Sequence, residues 1–185
     1  MVTVASLMGG APPIDPASET EPFLTSYTKR HSEDEAAKTV LASTVPLSGL
    51  RVEDFDAVFI PGGHGLLWDL MDDFKCISLL EAFFAAGKPV AAVCHGVAAL
   101  HKVKRPDGES VVKDKRITGF TNSEEAAVAL TEVVPFLIED EFKRLGCDFS
   151  GMGDWAPHVV VHGKLVTGQN PQSSEQCAKE LVKLL

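Results

Sequence analysis

The chain has 185 residues and 45% hydrophobic content, which suits one globular domain, expected here over residues 1–185. Its net charge of −9, without a run of lysine or arginine, argues against nucleic-acid and polybasic membrane contacts. The apolar stretches are too short to cross a membrane, and the first ten residues lack the basic region of a secretory signal. We therefore expect neither nucleic acid nor membrane as a partner.

The cysteines predict the redox compartment. They are widely spaced and form no CxxC pair. In a chain of this length a disulfide framework is not expected, so we predict a reducing, cytoplasmic location. Three of them lie on helical patterns or at helix ends and are interpreted as structural, namely Cys76, Cys147 and Cys177.

Strands and helices alternate along the first half of the chain. The pattern predicts strands at 2–5 and 55–60, a loop at 9–16, a weak helix to Ala42 from a capping box at Ser32 and Glu35, and a helix at 74–86. The helix predicted at 74–86 places Ile77, Leu80 and Phe84 on one stripe. Residues 90–93 form an apolar run typical of a strand buried on both faces, and a helix is expected from His95.

The second half continues the alternation. The expected elements are strands at 116–120, 159–161 and 164–167 and helices at 123–130 and 136–145. The last two strands flank a hairpin-like His-Gly turn. A final helix is expected from a capping box at Ser173 and Gln176, burying Cys177, Leu181 and Leu184. This order predicts an α/β fold with a mostly parallel sheet and helices on both faces.

A possible nucleophile lies at residues 92–96, Ala-Val-Cys-His-Gly. A buried strand ends at Cys94, a helix begins at once, and small residues flank the cysteine by two positions on each side. This is the layout of a nucleophile elbow. The helix N-terminus should depress the pKa of Cys94. The alternative is a buried structural cysteine at a strand end.

A glycine-rich loop, Pro-Gly-Gly-His-Gly at 61–65, follows the preceding strand. Parallel strands place this loop and Cys94 at the same sheet edge. The backbone N–H groups of Gly63 and His95 could therefore form an oxyanion site. The alternative is a tight turn without a role. The loop is not a P-loop, because no Gly-Lys-Ser/Thr sequence follows.

Three further groups are ambiguous from the residues alone. His95 adjoins Cys94, and consecutive side chains often diverge, although both can face one cleft at an elbow. Glu125 begins a helix, where a capping carboxylate is the simpler interpretation. His158 and His162 would lie about 13 Å apart on a strand, which is too far for shared metal coordination. We predict no metal site there.

Four segments together resemble the ThiJ/PfpI superfamily (class I glutamine amidotransferase-like), closest to its heat-shock-type glyoxalase III and chaperone branch. They are 61–65, 92–96, Ile-Thr-Gly-Phe-Thr at 117–121 and Leu-Val-Thr-Gly-Gln-Asn-Pro at 165–171. The resemblance covers essentially the whole chain. It implies a flavodoxin-like fold and cofactor-free conversion of methylglyoxal to lactate, with protein deglycase and holdase activities.

The resemblance also assigns roles. Cys94 becomes the nucleophile, His95 its base and Glu125 the third, orienting member, while Gly62 and Gly63 supply oxyanion donors. The implied partners are methylglyoxal or glyoxal, misfolded or glycated proteins and a second copy in a homodimer, with no cofactor or metal.

The chain departs from that family at its beginning and at His162, where relatives usually place Asp. The family's first strand and helix, with a glutamate that hydrogen-bonds the nucleophilic sulfur, have no counterpart before 2–6, so activity is expected to be weak. The nearest acids, Glu19, Glu21 and Glu33, have no positional match. Two alternatives stay open: a cysteine peptidase or amidase, and a non-enzymatic redox sensor or holdase chaperone.

Overall fold

The structure is a computed structural model that describes residues 1–20 and 23–185. Glu21, one of the three acids considered above, lies outside the described residues. The described chain divides into two compact units, Met1–Leu50 and Arg51–Leu185. No helix within the described residues is long and apolar enough to span a bilayer.

The first unit has a small parallel sheet and two short helices. Strand β1 (Ala5–Ser6) pairs with β2 (Val45–Pro46), so the strand predicted at 2–5 is shorter and lies later. Between them lie a 3-10 turn at Pro16–Glu19 and the helices α1 (Ser26–Glu33) and α2 (Glu35–Ala42).

The capping box predicted at Ser32 is wrong. Ser32 lies inside α1, whose capping box is formed by Thr25 and Thr28. Asp34 is extended, with φ −95° and ψ 98°, and its carboxylate accepts from the Ala37 N–H to begin α2. The single helix predicted here is therefore two helices, because Asp34 ends the first and caps the N-terminus of the second.

The second unit contains six strands and four α-helices. The strands are β3 (Val58–Ile60), β4 (Val90–Val93), β5 (Arg116–Ile117), β6 (Asp148–Phe149), β7 (Val159–His162) and β8 (Leu165–Gly168). The helices are α3 (Phe74–Ala85), α4 (Asn122–Ala127), α5 (Ile138–Arg144) and α6 (Ser174–Val182). The central sheet has the order β3-β4-β8-β7, parallel except for the hairpin strand β7. The predicted mostly parallel α/β architecture is confirmed.

The core of this unit surrounds β4 and β8, whose residues are all buried. Helix α3 buries Cys76, Leu80 and Phe83. Of the predicted stripe, Leu80 is buried and Ile77 and Phe84 are partly buried, while Cys76 and Phe83 beside them are buried as well. Cys177 and Leu181 of α6 are buried as expected, but the burial predicted for Leu184 is wrong, because α6 ends at Val182 and Leu184 is only partly buried.

The second predicted capping box is also wrong. The Ser173 side chain makes no capping hydrogen bond to α6. Its hydroxyl donates instead to Asn170 Oδ1 and accepts from the His158 N–H. The Ser173 hydroxyl therefore binds the residues that precede the helix, not the helix N–H groups that the local pattern assigned to it.

Candidate active site

The predicted elbow at Cys94 is present in the backbone. Strand β4 ends at Val93, and a 3-10 helix, Cys94–Leu100, begins at the next residue rather than the α-helix expected from His95. Cys94 has φ 58°, a left-handed conformation that side chains other than glycine rarely adopt. Such strain is typical of functional residues held by their surroundings.

Two glycines allow the elbow to pack against the loop after β3. A Cβ on Gly96 would lie 2.5 Å from the Ile60 carbonyl oxygen, so only glycine fits there. A Cβ on Gly62 would lie 3.2 Å from Cys94 Sγ. The missing side chain of Gly62 therefore leaves space for the Cys94 side chain. The role of Gly62 as an oxyanion donor stays a prediction. The backbone N–H groups of Gly63 and His95 both act to lower the pKa of the Cys94 thiol, so this expected donor pair lies near the sulfur.

The structure joins Cys94, His95 and Glu125 in one hydrogen-bonded chain. Cys94 Sγ lies 3.3 Å from His95 Nδ1, and His95 Nε2 lies 2.7 Å from Glu125 Oε2. The adjacent side chains of Cys94 and His95 therefore face one another, contrary to the simpler interpretation.

The capping alternative for Glu125 is wrong, because a different residue fills that role. The capping box of α4 pairs Thr121 with Glu124. This leaves Glu125, on the first turn of the helix, to face the imidazole of His95.

A second histidine, which sequence reasoning missed, completes this cluster. His64 Nε2 lies 2.8 Å from Glu125 Oε1, and the ring centroids of His64 and His95 are 3.8 Å apart. From the sequence, only the backbone N–H groups of the glycine-rich loop are given a role, and the His64 side chain is given none. Its position at the carboxyl end of β3, which pairs with the nucleophile's strand, was the signal that could have found His64.

The fold and these motifs have known relatives. The model of the DJ-1/PfpI family matches residues 25–184. The chain belongs to the DJ-1/PfpI family. It therefore has the flavodoxin-like fold that the resemblance implied.

Individual relatives of this DJ-1/PfpI member include glyoxalases. It is 31% identical to Glyoxalase 3 of Candida albicans in an alignment of 141 positions that covers 73% of this chain and 60% of the relative. The chain thus spans about 60% of that relative's length. The crystal structure of glyoxalase III from Candida albicans matches with a TM-score of 0.90 at 28% identity, covering 99% of this chain and 80% of the other. The Rapid Encystment Protein 24 KDa of Francisella tularensis matches with a TM-score of 0.91 at 35% identity, covering 98% and 80%.

The expected depression of the Cys94 pKa is wrong for this DJ-1/PfpI member. Burial raises the pKa of Cys94 to about 12, although the N–H groups of His95 and Gly63 act in the opposite direction. Cys94 is 7% exposed, so the thiolate would lose nearly all contact with water. A neutral thiol that gives up its proton during attack fits this environment better than a preformed thiolate.

His95 is suited to receive that proton, and Glu125 is suited to stabilise the charge that results. Burial lowers the pKa of His95, which keeps its imidazole neutral and able to accept. Burial alone would raise the pKa of Glu125, but the hydrogen bonds from His64 and His95 outweigh it and bring the pKa to about 2. Glu125 is therefore a carboxylate, and it stabilises the imidazolium formed when His95 accepts a proton.

Aromatic rings and a second buried carboxylate line the site. Phe120 packs on His95 with ring centroids 4.4 Å apart, and Trp155 packs on Phe120 at 5.8 Å. Glu124 Oε1 accepts from the Trp155 N–H and from the side-chain amides of Gln169 and Asn170. Glu124 therefore fastens the loop that carries Trp155 beside the reactive groups.

The cluster also has the spacing of a metal site. One donor atom from each of His64, His95 and Glu125 lies within 4.8 Å of the others. Two N–H···O hydrogen bonds already join these groups, and a metal would require both nitrogens to lose their protons. The group fits acid–base chemistry better than a metal centre, and the prediction of no metal stays a prediction.

The remaining histidine and cysteine candidates have separate environments. His158 Nε2 contacts Ser150 Oγ, whereas His162 Nδ1 accepts from the Arg116 N–H. Cys76 and Cys177 are buried, and the Cys147 thiol donates to the Phe142 carbonyl. These contacts fit the structural roles expected for the three cysteines.

Proposed function

We propose that this chain converts methylglyoxal to lactate without a cofactor, using Cys94 as nucleophile, His95 as base and Glu125 as the orienting carboxylate. The observation that carries the proposal is the hydrogen-bonded chain from Cys94 Sγ through His95 to Glu125. The similarity to proteins named glyoxalase 3 and glyoxalase III supports the choice of substrate.

The first step is addition of the thiol to the aldehyde. A bond forms between Cys94 Sγ and the aldehyde carbon while His95 Nδ1 takes the thiol proton. The N–H groups of Gly63 and His95 stabilise the negative oxygen as it develops. His95 then returns the proton to that oxygen, and the product is a neutral hemithioacetal.

The second step is an internal redox isomerisation. The proton on the former aldehyde carbon moves to the neighbouring carbonyl carbon through an enediol, so the first carbon is oxidised and the second is reduced. The result is a lactoyl thioester of Cys94. Water then cleaves the carbon–sulfur bond, releasing lactate and regenerating the thiol. The balance needs one water and no external oxidant or reductant.

Burial of the reactive groups favours a small substrate over the alternatives. Cys94 and His95 are 7% and 1% exposed, which leaves little room for a peptide backbone at the sulfur. A pKa of about 12 also disfavours direct oxidation of Cys94, since oxidants react with the thiolate. Both observations weigh against a peptidase and a redox sensor.

The test is lactate formation from methylglyoxal by the purified chain without glutathione. We expect turnover that Cys94→Ala abolishes and Cys147→Ser retains, because Cys147 lies outside the hydrogen-bonded cluster. Absence of lactate from the parent chain, or equal lactate from Cys94→Ala, would overturn the proposal.

A cytoplasmic location and a homodimer belong to the same proposal. All four cysteines are free, which agrees with a reducing compartment. Light scattering on the purified chain would give the oligomeric state, and a mass of one chain would reject the homodimer.

A further inference from the structure

The carboxylate of Glu125 is shared by two imidazoles. Its Oε2 accepts from His95 and its Oε1 from His64, at 2.7 and 2.8 Å. A carboxylate offers only acceptors, so the hydrogen carried by each neutral ring is assigned to Nε2. Glu125 therefore fixes the same tautomer in both histidines and leaves a lone pair on each Nδ1.

The two histidines differ in what surrounds their Nδ1 atoms. His95 Nδ1 faces the Cys94 sulfur at 3.3 Å, and its side chain is 1% exposed. The side chain of His64 is 26% exposed, and among the described residues Glu125 is its one hydrogen-bond partner. His64 is thus the more exposed of the two histidines, and its Nδ1 has no hydrogen-bond partner among the described residues.

His64 also lies close to where an adduct on Cys94 must lie. Its loop packs against the nucleophile, because a Cβ added to Gly62 would lie 3.2 Å from Cys94 Sγ. The ring centroid of His64 is 3.8 Å from that of His95. The His64 ring therefore packs against the ring whose Nδ1 lies 3.3 Å from the Cys94 sulfur.

We propose that His64 is a second general base, which carries the carbon-bound proton of the adduct while His95 serves the sulfur and the oxygens. The inference rests on the proposed function. In the isomerisation, His64 Nδ1 takes the proton from the first carbon and returns it to the second. The hydroxyl proton passes between the two oxygens through His95. With two bases, one imidazole can hold the carbon-bound proton while the other moves the hydroxyl proton, which a single imidazolium could not do because it has no lone pair left.

The test combines His64→Gln with methylglyoxal deuterated at the aldehyde carbon. Glutamine can still donate an N–H to Glu125 but has no basic nitrogen. We expect kcat to fall by about 10²–10⁴-fold, the usual value of one general base. The primary deuterium isotope effect on kcat should increase, and the rate of Cys94 alkylation by iodoacetamide should stay within about twofold of the parent.

The chain offers a matched control in His101. Its Nε2 lies 2.6 Å from Glu141 Oε1, a similar hydrogen bond outside the reactive cluster. We expect His101→Gln to keep parental kcat and isotope effect. A His64→Gln variant with parental kcat would show that His64 only positions Glu125, and a lower kcat with an unchanged isotope effect would likewise overturn the inference. A parent chain that makes no lactate would be recognised before any variant is compared, and it would overturn the proposed function and this inference together.

Discussion

Glu124 and Glu125 are consecutive and both buried, yet their carboxylates hold different parts of the site. Glu124 accepts from the helix cap at Thr121 and from the loop at Trp155. Glu125 accepts from two imidazoles. Successive residues at the start of α4 point about 100° apart, so one carboxylate faces the surrounding loops and the other faces the nucleophile.

Glu125→Gln is expected to lower kcat by about 10²–10⁴-fold, because the amide cannot accept from both histidines and forces one into the wrong tautomer. Cys94 alkylation by iodoacetamide should change far less. Initial rates of lactate formation and alkylation rates on one preparation decide this. A variant with parental kcat would reject the orienting role of Glu125.

Glu124→Gln is expected to act mainly on stability. One carboxylate oxygen of Glu124 would become an NH2 group, which cannot accept from the N–H donors that now bind it. Each buried donor left unpaired costs about 1–3 kcal/mol of stability. Urea unfolding of parent and variant measures this loss. A stable variant with strongly reduced kcat would mean that Glu124 takes part in the chemistry.

Acid should destabilise the folded chain through Glu125. Its pKa is about 2 when folded against an ordinary value of 4.5, so between these values the unfolded chain binds a proton that the folded chain does not. The stability contributed, about 3 kcal/mol, is present above about pH 4.5 and is lost as the pH falls toward 2. The lowered pKa of His95 acts in the same direction below its ordinary 6.5.

The measurement is the free energy of unfolding at several pH values between about 6 and 3. Glu125→Gln should lose less stability over this range than the parent. Identical pH dependence in the two proteins would show that Glu125 is not a low-pKa carboxylate.

The cysteines should differ in alkylation, but not in the order that the sequence suggests. Burial raises the pKa of Cys76, Cys94 and Cys177 to about 12 and that of the partly exposed Cys147 to about 11. Peptide mapping after iodoacetamide at neutral pH should therefore find Cys147 labelled first, and Cys94 labelling should rise with pH. Fast labelling of Cys94 at neutral pH would show that its pKa is depressed after all.

Gly96→Ala is expected to destabilise the elbow, because the added Cβ would lie 2.5 Å from the Ile60 oxygen and 2.6 Å from the Pro61 oxygen. Overpacking against a backbone costs about 1–3 kcal/mol. Gly153→Ala is the matched control, since nothing lies within 4 Å of the Cβ it would add. Thermal melts compare the two, and equal melting temperatures would refute the close packing at Gly96.

The sequence predicted those features that short-range patterns determine. The apolar run before Cys94 and its small neighbours predicted a buried strand and an elbow, and both are present. The orienting role of Glu125 was predicted only by the family resemblance, because the local sequence favoured a helix-capping carboxylate. The predictions that failed depend on partners farther away along the chain. The Ser173 hydroxyl accepts from the His158 N–H, and the pKa of Cys94 follows its burial by the rest of the unit. His64 was missed because its partner Glu125 lies 61 positions away.

In the proposed function, Cys94 carries the turnover of methylglyoxal through a covalent adduct. The most direct test is a quenched time course that follows the mass of the Cys94 peptide and the lactate released. We predict that the adduct forms on Cys94, that lactate appears in step with its decay, and that the thiol is free again when the aldehyde is consumed. Lactate that accumulates while Cys94 stays unmodified, or an adduct that persists without lactate, would contradict the claim.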